Sequence, residues 1–194
     1  MFDSLSIIFW SIVYILIAVQ FFIKKKSKKY TVPIPFPSIV FNLTWEFTAL
    51  CTLHHWGHIL WFSLDFIIAY LSYDFIKEKK NRLLYLFSIA GCAVVFKIIF
   101  NFDGGMLYSS FVIDIIMAFL FLIQVKQLSF NFRIPIAVAK LLGDLSALIY
   151  YKDYSIFVLI VGIIVLILNT AYLIISIYLI KKENSVKGKK KKKC

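Results

Sequence analysis

Long apolar runs alternate with short polar ones along this chain. The apolar runs fall near residues 5–23, 34–53, 58–76, 83–101, 106–124, 134–150 and 154–180. About 20 residues at 1.5 Å rise span a hydrocarbon core roughly 30 Å thick, so each run is long enough to cross a bilayer as a helix. Strand-like alternation does not recur, and in lipid every backbone amide has to be satisfied inside its own segment. The pattern predicts an all-α fold, a seven-transmembrane helix bundle. Pro33, Pro35 and Pro37 predict an extended lead-in that delays the second helix until about residue 38. The first run starts Met1-Phe2-Asp3, lacks a basic n-region and has no small-residue cleavage site before Lys24, so it reads as a retained helix and not a signal peptide.

The polar loops give the bundle a direction. Five lysines lie in Lys24–Lys29, four basic residues in Lys77–Arg82, Lys126 and Arg133 flank the next loop on that side, and eight lysines follow Ile180. Together these are 19 of the 22 basic residues, whereas the opposite loops hold only Lys152. Basic loops stay in the cytoplasm, which predicts an N-terminus outside and a cytoplasmic C-terminus. The expected organisation is one transmembrane domain over 1–182 and a basic, disordered tail over 183–194 that touches anionic lipid headgroups. Such a chain is a multi-pass integral membrane protein, of the plasma membrane if bacterial.

Composition agrees: 61% of residues are hydrophobic and the mean hydropathy is +0.86. The net charge of +12 resides mostly in inter-helix clusters, which argues for topology and against nucleic acid. Cys51, Cys92 and Cys194 make an odd count without CxxC spacing, so neither a disulfide framework nor a structural zinc site is expected. Cys194 is the last residue and is no CaaX box.

Six ionisable residues fall inside the runs: Glu46, Asp65, Lys97, Asp114, Lys140 and Asp144. Each costs roughly 2.5–3.5 kcal/mol to insert, so they are expected to face inward. All but Lys140 lie roughly 6–12 Å below the outer surface by helical rise. That level predicts one polar cavity in the outer half of the bundle. Lys97 with Asp114, or Lys140 with Asp144 one turn on, would serve equally as ion pairs that lock helices together. Four acids against two lysines leave carboxyls over, and a carboxylic acid that keeps its proton in an apolar cavity is a proton donor. Asn42 shares a face with Glu46, where its amide would orient the carboxyl between Trp45 and Phe47. Trp61 and Asp65 repeat the spacing, and Asn169 and Tyr172 are polar points in the last run. His54, His55 and His58 suggest a metal, yet no Cys or carboxylate is near in sequence and no metal or other cofactor is expected.

Asn42-Leu43-Thr44-Trp45-Glu46 resembles the N-x-x-W-E signature of the pyripyropene-type integral-membrane terpene cyclases, seven-helix enzymes of meroterpenoid and indole-diterpene pathways with bacterial relatives. Trp61-Phe62-Ser63-Leu64-Asp65 resembles their third-helix tryptophan and aspartate, and Lys140-Leu141-Leu142-Gly143 a K-x-L-G stretch. Ile167 to Tyr172 aligns with a final-helix segment that usually carries an aspartate where this chain has Asn169. The resemblance implies a terpene cyclase, an intramolecular lyase or isomerase of terpenoid secondary metabolism. Protonation would start cyclisation of a prenylated, sometimes epoxidised, lipophilic substrate. Glu46 and Asp65 would be the catalytic acids. Asn42, Trp45, Trp61, Asp114, Lys140, Asp144, Asn169 and Tyr172 would line the substrate site, with Trp56, Tyr70 and Tyr108 as further aromatic candidates. The competing expectation is a small transporter or transport accessory protein that uses the buried carboxylates as a proton or cation relay. A third is a scaffold or receptor whose charges only hold helices together.

Overall fold

A computed structural model describes residues 2–27, 32–53 and 56–191. Lys28 and Lys29 of the first basic cluster, His54, His55 and the last three residues lie outside the described part. The described residues form seven α-helices and no strand: α1 (Phe2–Lys26), α2 (Phe36–Leu53), α3 (Trp56–Tyr73), α4 (Lys79–Ile99), α5 (Gly105–Ile123), α6 (Phe130–Tyr151) and α7 (Ile156–Lys191). A 3-10 turn, Val125–Gln127, precedes α6.

Each helix covers one apolar run, and the differences lie at the ends. α2 starts at Phe36 because Pro37 falls in its first turn, where the missing N–H has no intrahelical acceptor to lose. α6 starts at Phe130 and takes Pro135 inside it. Arg133 stabilises this early start: its guanidinium donates to the Leu128 and Lys126 carbonyls and meets the Glu183 carboxylate at 2.6 Å. The last helix does not end with the apolar run. Residues 183–191, expected as part of a disordered tail, continue α7, and Glu183 is tied to α6.

α1, α4, α5 and α7 are long and apolar enough to cross a membrane by length and composition. The other three carry Glu46, Asp65 and the Lys140–Asp144 pair of turns. Polarity is inverted relative to a water-soluble protein: Lys140 is 0% and Asp65 2% exposed, while Phe87 and Ile156 are 65% and 71% exposed. An exterior this apolar around buried charges is the distribution expected in lipid.

α1 packs between α3 and α6, α6 packs on α7, and α7 on α5. α2 packs on α3 and α4, but α5 meets α2 and α4 only lightly, so the α2–α5 seam is the loose side of the bundle. α4 is peripheral, with only Tyr85 and Phe96 buried.

Contacts sort the helix ends into two poles. At one, Lys25 meets Asp74 at 2.5 Å, Lys24 Nζ donates to the Gln127 carbonyl, and Phe36 packs on Tyr85. This is the basic pole. At the other, Trp45 reaches Ser109, and Tyr108 packs on Tyr154 and Phe157.

Candidate functional site

A cavity of about 410 Å³ opens at the pole away from the lysines, between α1, α2, α3, α5 and α6. Asn42, Trp45, Glu46, Trp61 and Asp114 line it; of the five charged residues expected at one depth, Glu46 and Asp114 do and Asp65, Lys97 and Asp144 do not. The loose α2–α5 seam leaves the room, and aromatic rings fill much of the wall: Trp10, Tyr14, Trp45, Trp61, Phe111 and Tyr151.

Glu46 is 5% exposed, and its carboxyl is held by α3. His58 Nδ1 lies 2.8 Å from Glu46 Oε2, so histidine and acid share one proton-bearing contact at the cavity wall. The His58 ring also stands edge-on to Trp45 and Trp61, at centroid distances of 5.7 and 6.1 Å. Trp45 is fixed in turn by its indole N–H, which donates to Ser109 Oγ at 2.9 Å. Asn42, expected to orient Glu46, instead donates to the Tyr14 hydroxyl at 3.4 Å. Helical spacing puts Asn42 and Glu46 on one face, but α1 supplies a nearer partner for the amide.

Asp65 does not line this cavity. It faces a separate void of about 10 Å³, one turn deeper, together with Ser38 and Met117. Trp10, Tyr14 and Asn42 line both spaces and form the partition. Asp65 Oδ2 and Ser38 Oγ have no hydrogen-bond partner among the described residues. The two acids expected to work together therefore occupy adjacent compartments.

A third group lies behind Trp10. The Trp10 indole N–H donates to Asp144 Oδ1 at 2.9 Å, and the Asn169 amide donates to Asp144 Oδ2 in a short contact. Gly143 permits this approach, since a Cβ there would come within 2.9 Å of Trp10 Cδ1. Lys140, expected to pair with Asp144, lies with Nζ 4.7 Å from the Trp10 ring centroid and 4.9 Å from that of Phe121. Its ammonium makes no hydrogen bond among the described residues, while Trp10 and Asn169 each donate to one Asp144 oxygen. Tyr172 is fully buried against Phe121. Asp144, Lys140, Asn169 and Tyr172 thus support one cavity wall through Trp10 and do not line the cavity.

Other expectations need correction. Lys97 is exposed on the outer side of α4 and forms no ion pair among the described residues, because α4 is peripheral. Phe47 turns outward onto Phe62. Trp56 and Tyr70 are exposed, and Tyr108 packs on Tyr154 and Phe157 outside the cavity lining. Of the three clustered histidines, His58 meets Glu46 in space although none is near it in sequence; His54 and His55 lie outside the described residues. No grouping of metal-ligating side chains occurs among the described residues. Trp10 and Tyr14 are the site residues that sequence reasoning passed over, and His58, weighed there only as a metal ligand, is a third whose contact with Glu46 it did not foresee. The first two are one helical turn apart on α1, which was the available signal.

No protein-family model, curated protein or solved structure matches this chain.

Proposed function

We propose that this protein is a membrane-embedded acid catalyst that cyclises a prenylated, lipophilic small molecule, the class of reaction implied by its resemblance to the integral-membrane terpene cyclases. The observation that carries the proposal is the Glu46–His58 contact in the wall of an aromatic cavity of about 410 Å³. That volume lies within the roughly 300–1,000 Å³ range of small-molecule sites.

In this reading Glu46 Oε1 gives its proton to a terminal alkene or epoxide of the substrate, while Oε2 stays with His58. The resulting cation is attacked by the substrate's own double bonds. Trp45, Trp61 and Trp10 present ring faces that stabilise positive charge as it moves. Loss of a proton from the cyclised cation back to the Glu46 carboxylate ends the cycle, so product and substrate have equal mass. His58 holds the carboxyl in place and is the route for its proton exchange. Asp65, behind Tyr14 and Asn42, acts on this site through the partition.

The proposed topology is seven spans with the cavity pole outside and the basic pole in the cytoplasm, the arrangement favoured by the placement of Lys and Arg.

The test is incubation of membranes carrying the protein with a panel of prenyl-arenes and their terminal epoxides. An isomer of unchanged mass should appear, and Glu46→Gln should lower its formation by at least about 100-fold. Absence of any cyclic isomer across the panel would remove the proposal. Retained turnover in Glu46→Gln would remove Glu46 from it.

A further inference from the structure

A second concavity, about 570 Å³, runs between α2 and α4 and shares no lining residue with the cavity above. We propose that it binds one acyl chain of an anionic glycerophospholipid, with the phosphate at the α3–α4 turn. This site is independent of the proposed cyclisation.

Its dimensions suit a single leaflet. On α4 the lining extends from Asn81 at the turn to Cys92, roughly 16 Å of helix. That is about half of a hydrocarbon core roughly 30 Å thick. The groove therefore starts at the basic pole and ends near mid-depth, as an acyl chain does.

Its chemistry is graded in the same direction. Lys77, Glu78 and Asn81 line the mouth, whereas Phe36, Val40, Phe41 and Leu84 line the body. The hydroxyls along the body are already engaged by protein. Tyr85 OH meets Ser72 Oγ at 3.0 Å, and Ser88 Oγ donates to the Leu84 carbonyl. What remains for an occupant is carbon surface, which neither a peptide backbone nor a polar metabolite could use.

The mouth selects the headgroup. Lys77 lines it, and Lys79, Lys80 and Arg82 follow within five residues along the same turn and first turn of α4, against the single acid Glu78. Glu78 accepts from the Asn81 amide at 3.0 Å, and Arg82 Nε donates to the Ile76 carbonyl while its guanidinium lies over the Tyr73 ring. This is a turn held in a fixed shape with excess positive charge. A basic residue near a bilayer surface favours anionic lipid by about fivefold.

The experiment is native mass spectrometry of the delipidated full-length protein, offered equal phosphatidylglycerol and phosphatidylcholine with the same acyl chains. One phosphatidylglycerol should be retained in preference by at least about fivefold. The double variant Lys77→Gln, Lys79→Gln should bring the two lipids close to parity. Ser88→Trp, which fills the groove, should abolish retention of both with helix content by circular dichroism unchanged. Equal retention by the wild type overturns the proposal, as does undiminished retention in a folded Ser88→Trp. So does a neutral prenyl alcohol displacing the phospholipid, which would make the groove a site for prenyl chains. A second readout does not depend on Ser88→Trp folding. With Cys51→Ser and Cys194→Ser, bound phosphatidylglycerol should slow alkylation of Cys92 by a lipophilic maleimide about tenfold, and an unchanged rate overturns the proposal.

Discussion

Trp10 on α1 donates its indole N–H to Asp144 on α6 across 2.9 Å, and the same ring forms a wall of the aromatic cavity. One side chain thereby couples a buried acid to the shape of the site. Trp10→Phe keeps a ring but deletes the donor, and should cost about 1–2 kcal/mol. Gly143→Ala should also destabilise, because its Cβ would press on Trp10 Cδ1 and Nε1 at 2.9 and 3.1 Å. Since both act on one contact, their effects on thermal unfolding in detergent should combine less than additively. Full additivity would mean that Trp10 and Gly143 act independently.

Asn169 takes the place where the resembled cyclases carry an aspartate, and here its amide serves as donor to Asp144. Asn169→Ala removes that donor and should cost about 1–3 kcal/mol. Asn169→Asp removes the donor and also sets a second carboxyl against the first, so it should destabilise more than Ala does. Thermal unfolding of the three proteins decides the order. An Asp variant as stable as the parent would show that two acids are tolerated there.

The helices were legible in the sequence because run length and lysine placement are local properties. Each apolar run became one helix, and Lys25, Lys77 and Lys126 fell at one pole. Facing was less legible. Lys97 and Asp114 lie at similar predicted depth, yet one is on the outside of peripheral α4 and the other lines the cavity. Hydropathy cannot tell those faces apart. Asp65 and Glu46 are separated by Tyr14 of α1 and Asn42 of α2, which meet through a hydrogen bond between distant parts of the sequence, and such a meeting is a long-range property. The same holds for His58, which gains its acid only when α2 and α3 fold together.

Arg133 anchors the basic pole. Its side chain is 6% exposed and caps two carbonyls besides meeting Glu183, whose own side chain is 39% exposed. Arg133→Ala would orphan the Leu128 and Lys126 carbonyls together and should cost about 3 kcal/mol. Glu183→Gln removes only the half-exposed partner and should cost less than about 1 kcal/mol. Comparable losses in unfolding measurements would mean that the ion pair, and not the carbonyl caps, fixes the start of α6.

Orientation gives the sharpest separation of outcomes. Asp103 follows α4 and Lys126 follows α5, so a span between them puts the two on opposite sides of the membrane. With Cys51, Cys92 and Cys194 changed to Ser, Asp103→Cys should react with a membrane-impermeant maleimide in intact cells. Lys126→Cys should react only after permeabilisation, because the basic loops are retained in the cytoplasm. The reversed pattern would turn the cavity toward the cytoplasm. Glu46 and His58 would then exchange protons with that compartment, and a lipophilic substrate would have to enter from the inner side. Equal labelling of both sites in intact cells would mean that α5 does not cross, which would break the seven-span arrangement and leave the Glu46 cavity without a membrane to shield it.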